Sequence, residues 1–274
     1  MAPVQVRRLA DAAAFTGHLA SLGVDLPFDS EVVVGSGSPL AQPLEVRDGS
    51  AGTLVVGNRW TVLPMEGWDG TTDGRPTDLV CRRWARFGES GAKLVWGGEA
   101  VAVGPGGRAN PNQLCIGPDS PGDLAELRSV LVDAHVERFG SADDLLVGLQ
   151  LTHSGRWAQP GAEAAPRTAY RHPLLDGRVG ASGQSVLSDD ELDGLSDDFV
   201  DAAVVAHDAG FAFVDVKACH GYLVHELLSG IDRPGPFGGD LEGRTRFLRR
   251  TVEAIRYRVP DLAIGVRLSA FDFA

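Results

Sequence analysis

Five apolar stretches of this chain each run into side chains that can grip a ligand or move a proton. The first, 60–65, contains Pro64 and Met65 and ends at Glu66. The second, 92–96, passes through Gly97 and Gly98 to Glu99 and Ala100. The third, 145–151, carries Gln150 and runs into Thr152, His153, Ser154, Gly155 and Arg156. The fourth, 211–216, runs into Lys217, Cys219, His220 and Tyr222, and the fifth, 262–268, carries Arg267 and ends at Ser269. An amide can donate and accept along one edge. A guanidinium or ammonium can hold developing negative charge, and imidazole, phenol and carboxylate can pass protons. Such a set suits acid–base and electrostatic work on a small polar molecule, provided that one fold brings the five ends together.

The elements between these stretches supply that fold. The apolar stretches are nearly continuous, as in strands buried on both faces. Helix-period segments alternate with them at about 77–88, 122–139, from Ser188 onward, and 241–257. Ser188-Asp189-Asp190-Glu191 fits a capping box, Leu192, Leu195, Phe199, Ala202, Ala203 and Ala206 form the apolar face behind it, and Gly210 stops the helix. Strand–helix alternation predicts a parallel α/β sheet with helical crossovers, and converging strand ends predict a TIM-type (β/α) barrel with its site at the C-terminal mouth. About five of the eight strands of such a barrel can be counted. Residues 1–38 read as an accessory N-terminal helical segment, with Asp11 capping a helix that carries Phe15, Leu19 and Leu22 and ends at Gly23. Val32-Val33-Val34-Gly35-Ser36-Gly37 imitates a dinucleotide fingerprint, but Pro39 falls where its third glycine belongs, so a strand and a loop are expected there.

Composition narrows the function classes. The 274 residues carry a net charge of −12, which argues against a nucleic-acid binder. No apolar run approaches the roughly 18 residues of a membrane helix, and the N-terminus lacks the apolar core of a secretory signal. The three cysteines, Cys81, Cys115 and Cys219, have no CxxC spacing, so a reducing cytoplasm is the expected location. His, Cys and carboxylates do not fall in metal-ligand spacing, so no metal is expected. Cys219 reads as a small buried filler, and His135, His172, His207 and His225 as packing or surface residues.

Four blocks in order carry a family resemblance. They are Asn58-Arg59 with Pro64-Met65, Glu99-Ala100-Val101-Ala102-Val103 with Gly107-Arg108, Gln150-Leu151-Thr152-His153-Ser154-Gly155-Arg156, and His220-Gly221-Tyr222-Leu223 with Phe237-Gly238-Gly239-Asp240-Leu241-Glu242. Closed by Gly265-Val266-Arg267-Leu268-Ser269, the segment from about Leu40 to Ser269 resembles the Old Yellow Enzyme family of FMN-dependent ene-reductases and NADH:flavin oxidoreductases. The resemblance implies a flavin-binding barrel over 39–274, with FMN as cofactor and NAD(P)H as electron donor. It implies that Pro64, Met65, Glu66, Ala100, Gln150 and Arg267 surround the flavin. It further implies that His220 and Lys217 hold a substrate oxygen, that Tyr222 protonates the α-carbon of an α,β-unsaturated carbonyl compound, and that His153 and Arg156 lie on the substrate side.

Two positions depart from the resembled pattern. Lys217 stands where relatives carry His or Asn, and Glu66 where they carry Thr or Cys. Lys217 either stabilises an enolate oxygen or a carboxylated substrate, or it pairs with Glu66 or Glu99. A Glu66–Lys217 pair accounts for both departures. With about five strands present, and without the family's later strands and phosphate-binding loops, the sequence reads as an N-terminal portion of such an enzyme. Three readings remain open at this point. One is an oxidoreductase acting on a small-molecule substrate. The second is a non-catalytic fragment that needs a second chain or self-association, and the third is a barrel lyase or hydrolase using Lys217 or Glu66.

Overall fold

The computed structural model describes residues 4–48 and 52–269. They divide into two compact units, 1–42 and 43–274. In the first, helix α1 (Ala12–Leu22) is capped by Asp11, whose carboxylate accepts from the Ala14 amide at 2.8 Å, and it ends at Gly23 in the left-handed conformation. Phe15 and Phe28 meet edge to face. Residues 32–34 form no strand: Val32 and Val34 are exposed and lead into a single 3-10 turn, Gly35–Gly37. A β-branched run is no strand without a partner to bond it.

The second unit opens with an antiparallel hairpin, β1 (Leu44–Asp48) and β2 (Gly52–Val56). Parallel strands follow in sequence order: β3 (Thr61–Val62), β4 (Leu94–Val95), β5 (Ala100–Ala102), β6 (Leu146–Thr152), β7 (Phe213–Ala218) and β8 (Ala263–Leu268). Helices α2 (Asp78–Glu89), α3 (Ser120–Phe139), α4 (Leu175–Val179), α5 (Asp189–Asp208), α6 (Leu223–Leu228) and α7 (Leu241–Arg258) lie between them. This is the α/β barrel pattern over part of a barrel. The hairpin, unforeseen from the sequence, shares a cavity of about 150 Å³ with the first residues of the strands, among them Leu94, Leu146, Phe213 and Ala263, so it lies at the end opposite the mouth.

Apolar spacing explains the packing. In β7 every residue is buried, and in β6 all but the first. The capping box forms as expected: Ser188 Oγ accepts from the Glu191 amide and Glu191 Oε2 accepts from the Ser188 amide at 2.8 Å. The whole apolar face of α5 then sits in the core beside Trp84, Leu127 and Leu131.

One local irregularity shapes the mouth. Strands β4 and β5 occupy one strand position, both pairing with β6. Leu94 faces Leu146 and Ala100 faces Gln150, so seven residues on one side span five on the other. The two extra residues are absorbed at Gly97 (φ 109°) and Gly98 (φ 46°). A Cβ on Gly97 would stand 2.9 Å from the Gln150 nitrogen and 3.2 Å from Pro64 Cβ, so only glycine lets the neighbouring strand ends close up.

Candidate active site

The strand ends converge on one cleft of about 240 Å³. It is lined by Pro64, Met65, Glu66, Ala100, Gln150, Lys217, His220, Tyr222 and Arg267. These are all six residues expected around a flavin and all three expected to act on a substrate. Pro64, Met65 and Glu66 follow β3, Ala100 opens β5, and Gln150 lies in β6. Lys217 lies in β7, Arg267 in β8, and Tyr222 is the N-cap of α6. His220 has φ 61° and Gly221 φ 68°. Such backbone strain in a non-glycine residue collects at functional turns, and here it swings the chain from β7 into α6 across the cleft.

The charged groups of the cleft are tied to one another. Lys217 Nζ donates to Glu66 Oε1 at 2.6 Å, the pairing that the two departures suggested, while Glu99 is held elsewhere. Tyr222 Oη donates to Glu66 Oε2 at 2.7 Å, and Lys217 Nζ lies 3.7 Å from the centre of the Tyr222 ring. Burial, reinforced by the Glu66 charge, pushes the Tyr222 phenol well above its ordinary range. Trp68, whose own φ is 51°, donates from Nε1 to Glu66 Oε2 at 3.3 Å. Glu99 pairs with Arg83 and accepts from the Gly67 amide at 2.9 Å. Burial pushes its carboxyl up to about 7.

Gln150 is oriented from below. Its Nε2 donates to Asp215 Oδ2 at 2.6 Å, and both residues are buried. Burial raises the Asp215 carboxyl above its usual range. One of the two amide N–H donors is therefore occupied, and Oε1 is left to accept. Asp215 had a sequence signal, a single carboxylate inside the apolar run 211–216. Trp68, on a loop without periodicity, had none.

His153 and Arg156 are not brought to this cleft, which corrects the expectation that they meet substrate there. Arg156 is 1% exposed and lies between Asp176 and Glu226, with its Nη2 donating to the Tyr170 carbonyl at 2.9 Å. His153 borders a separate hollow with Arg167, Glu191 and Asp198. Its Nδ1 accepts from the Gly155 amide at 3.1 Å, and burial, with Arg167 nearby, pulls the ring down to about 4, so it is neutral.

A partial β/α barrel whose mouth carries an oriented amide, a guanidinium, an imidazole and a phenol defines a class of flavin-handling barrel. Comparison with known proteins agrees. The model of the NADH:flavin oxidoreductase / NADH oxidase family matches residues 41–274, and the chain belongs to that family. It is 30% identical over 245 residues to an NADPH dehydrogenase of Bacillus velezensis, covering 85% of this chain and 64% of that protein. It is 32% identical over 227 residues to an NADPH dehydrogenase of Clostridium acetobutylicum, covering 80% and 62%. Among solved structures it superposes on the Old Yellow Enzyme of a Pichia species with a TM-score of 0.68 at 23% identity, over 86% of this chain and 61% of that one. Morphinone reductase gives a TM-score of 0.63 at 27% identity, over 84% and 61%. The chain thus spans a little under two thirds of the length of these relatives.

The family works with FMN and takes its electrons from NAD(P)H, and the donor set of the cleft fits the flavin ring. Pro64, Met65 and Ala100 offer an apolar wall, Gln150 Oε1 an acceptor for an imide N–H, and Arg267 a cation for an electron-rich edge. Among the described residues no helix is long and apolar enough to cross a membrane.

Proposed function

We propose that this protein reduces the activated C=C bond of an α,β-unsaturated carbonyl compound with electrons from NAD(P)H. The observation that carries the reading is one cleft holding both the flavin-type set (Gln150, Arg267, Pro64, Met65, Ala100) and the substrate-type set (His220, Tyr222). Bound FMN supplies the two-electron store that links nicotinamide to alkene. Gln150 binds and orients the cofactor's polar edge, with Asp215 fixing the direction of the amide. Arg267 offsets the negative charge of the reduced cofactor. His220 holds the carbonyl oxygen of the substrate, and Tyr222 keeps the proton for the α-carbon at Oη. Membership of an oxidoreductase family favours this reading over a lyase or hydrolase. So does the Lys217 amine, which is already engaged with Glu66.

The test is anaerobic and separates the two halves of the reaction. The protein is reconstituted with FMN, NAD(P)H is added, and bleaching of the flavin absorbance is followed. A cyclic enone is then added and the colour should return. Tyr222→Phe should leave the bleaching rate unchanged and slow the return about 10²–10⁴-fold. Bleaching without any return on adding enones would sink the proposal.

A further inference from the structure

The loop that carries Glu66 into the cleft is clamped from behind. It leaves the sheet after the bridge between Met65 and Glu99, and Trp68 within it stands at φ 51°. Strain of that kind persists only where the surroundings over-determine the backbone. Two buried side chains do so here. Glu99, 1% exposed, accepts from the Gly67 amide at Oε1, at 2.9 Å, and from Arg83 of α2 at Oε2. Arg83 donates to Asp69 through its other terminal nitrogen. Its guanidinium also lies against Gly67, where a Cβ would stand 2.3 Å from both Nη1 and Nη2. Gly67 does not adopt a positive φ, so the guanidinium and not the backbone calls for a glycine there. The Asp69 carbonyl accepts from Thr77 Oγ1 at 2.5 Å, just ahead of α2.

We propose that Arg83 and Glu99 are positioning residues for the substrate side of the cleft: they fix residues 66–69 so that Glu66 reaches Lys217 and Tyr222 together. The proposal rests on the reading of Tyr222 as the proton donor to the substrate carbon. Glu66 starts beside β3, and the groups it meets belong to β7 and α6, across β4 and β6 in the sheet order β3-β4-β6-β7-β8. Its contacts to them are 2.6 and 2.7 Å long. A loop shift of about 1 Å would carry both past the length of a good hydrogen bond. Tyr222 Oη would then lose the acceptor that holds it in place, although its hydrogen turns freely about the C–O bond toward a substrate in either case. A buried ion pair is a poor source of stability, since apolar residues of the same size hold two elements together as well. What this pair supplies is register, because it measures the loop at Gly67 and at Asp69, on either side of Trp68. The amide of Gln150 and the guanidinium of Arg267 stand on β6 and β8, away from this loop.

The experiment first reads the loop in the flavin-free protein at pH 8, where Glu99, raised by burial to about 7, is a carboxylate facing Arg83 and Asp69. The indole N–H signals of the five tryptophans are recorded by heteronuclear NMR, and that of Trp68 is assigned from Trp68→Phe. Trp68 Nε1 donates to Glu66, so its signal reports on that carboxylate. Two variants disturb the clamp by different means. Arg83→Lys keeps a cation that cannot lie flat on Gly67 and reach both acids. Gly67→Ala leaves every charge in place and pushes the guanidinium away. Both should move the Trp68 signal upfield. The Trp96 signal, packed on Phe213, should stay where it is and show that the barrel has folded. Asp69→Asn, which weakens the clamp at its more exposed end, replaces a variant that does not fold. An unmoved Trp68 signal in either folded variant overturns the proposal. In the FMN-reconstituted protein, Arg83→Lys should bleach at the normal rate and slow the return of colour on adding enone about tenfold. Equal slowing of the two halves overturns the positioning of Tyr222. If the wild-type protein fails to reduce enones, the reading of the reaction falls while the Trp68 signal still decides what holds the loop.

Discussion

Two clusters of cationic and acidic side chains stand near the mouth of the barrel, and they use their charges in opposite ways. Around Arg156, Asp176 and Glu226 each guanidinium nitrogen finds a fixed acceptor. The guanidinium reaches both carboxylates and the Tyr170 carbonyl, and Glu226 Oε2 also accepts from the Ala169 amide at 2.9 Å. Neither the cleft nor the hollow beside His153 is lined by this cluster, and Arg156 is 1% exposed. Around Lys217, Glu66 and Tyr222 the same kinds of group line a 240 Å³ cleft. The planar fork of arginine suits a sealed, saturated cluster that ties the loop after β6 to α4 and α6. The point charge of lysine suits a cluster that must still act on something. Charge and burial do not separate the two, since Lys217 is only 5% exposed. What separates them is whether the cluster faces space.

The largest effect is expected on the sealed side. Arg156→Met leaves the buried Glu226 without its cation and Asp176 with Arg171 alone, and should cost about 3–5 kcal/mol in denaturant unfolding. Lys217→Met leaves Glu66 with Tyr222 and Trp68 as donors and should cost about 1–2 kcal/mol, with its main effect on turnover. Equal losses for the two variants would break the contrast.

Next in size is the orientation of Gln150. Asp215→Ala frees the amide to turn, because its donor end loses the carboxylate at 2.6 Å. The affinity for FMN, read by quenching of flavin fluorescence, should fall about tenfold, the worth of roughly one good hydrogen bond. An unchanged affinity would mean that the cleft holds Gln150 by packing alone.

The contrast between the clusters also explains what the sequence could and could not reveal. Strand ends are legible because an apolar run followed by polar residues is a local pattern, and all nine residues of the cleft were found that way or through motif blocks. The Ser188 cap and the α5 face are equally local. Partnership across the fold is not. Arg156 and Glu226 are 70 residues apart, and Gln150 and Asp215 are 65 apart. Nothing in the periodicity of either segment says which acid the arginine meets, so Arg156 read as a substrate contact when it is a sealed tie. The pairing of Lys217 with Glu66 was foreseen only because two unusual residues of opposite charge needed each other. The β1–β2 hairpin was missed because its strands are short, and Leu44, Val46 and Val55 are exposed, which leaves no buried run to notice. The valines at 32–34 erred the other way, with strand-forming residues but no neighbouring strand.

The smallest net effect is one of pH, and the two sides again oppose each other. Glu99 precedes the cleft-lining Ala100, and burial raises its carboxyl from 4.5 to about 7. Between those values the folded protein holds a proton that the unfolded chain has lost, so this group's contribution is full below pH 4.5 and disappears as pH rises through 7. His153, on the Arg156 side, is pulled from 6.5 down to about 4. Between these values the unfolded chain holds a proton that the folded protein refuses, so its contribution is full above pH 6.5 and disappears as pH falls through 4. Each is worth up to about 3 kcal/mol, and across pH 4.5–6.5 the two slopes nearly cancel. Single variants should uncover them. Glu99→Gln should lose stability relative to the wild type as the pH falls from 7 to 4.5, and His153→Gln should gain over 6.5 to 4, both read from urea midpoints across the range. Parallel curves for the two variants would show that neither burial controls a proton, and that the opposition between the two sides of the mouth ends at their hydrogen bonds.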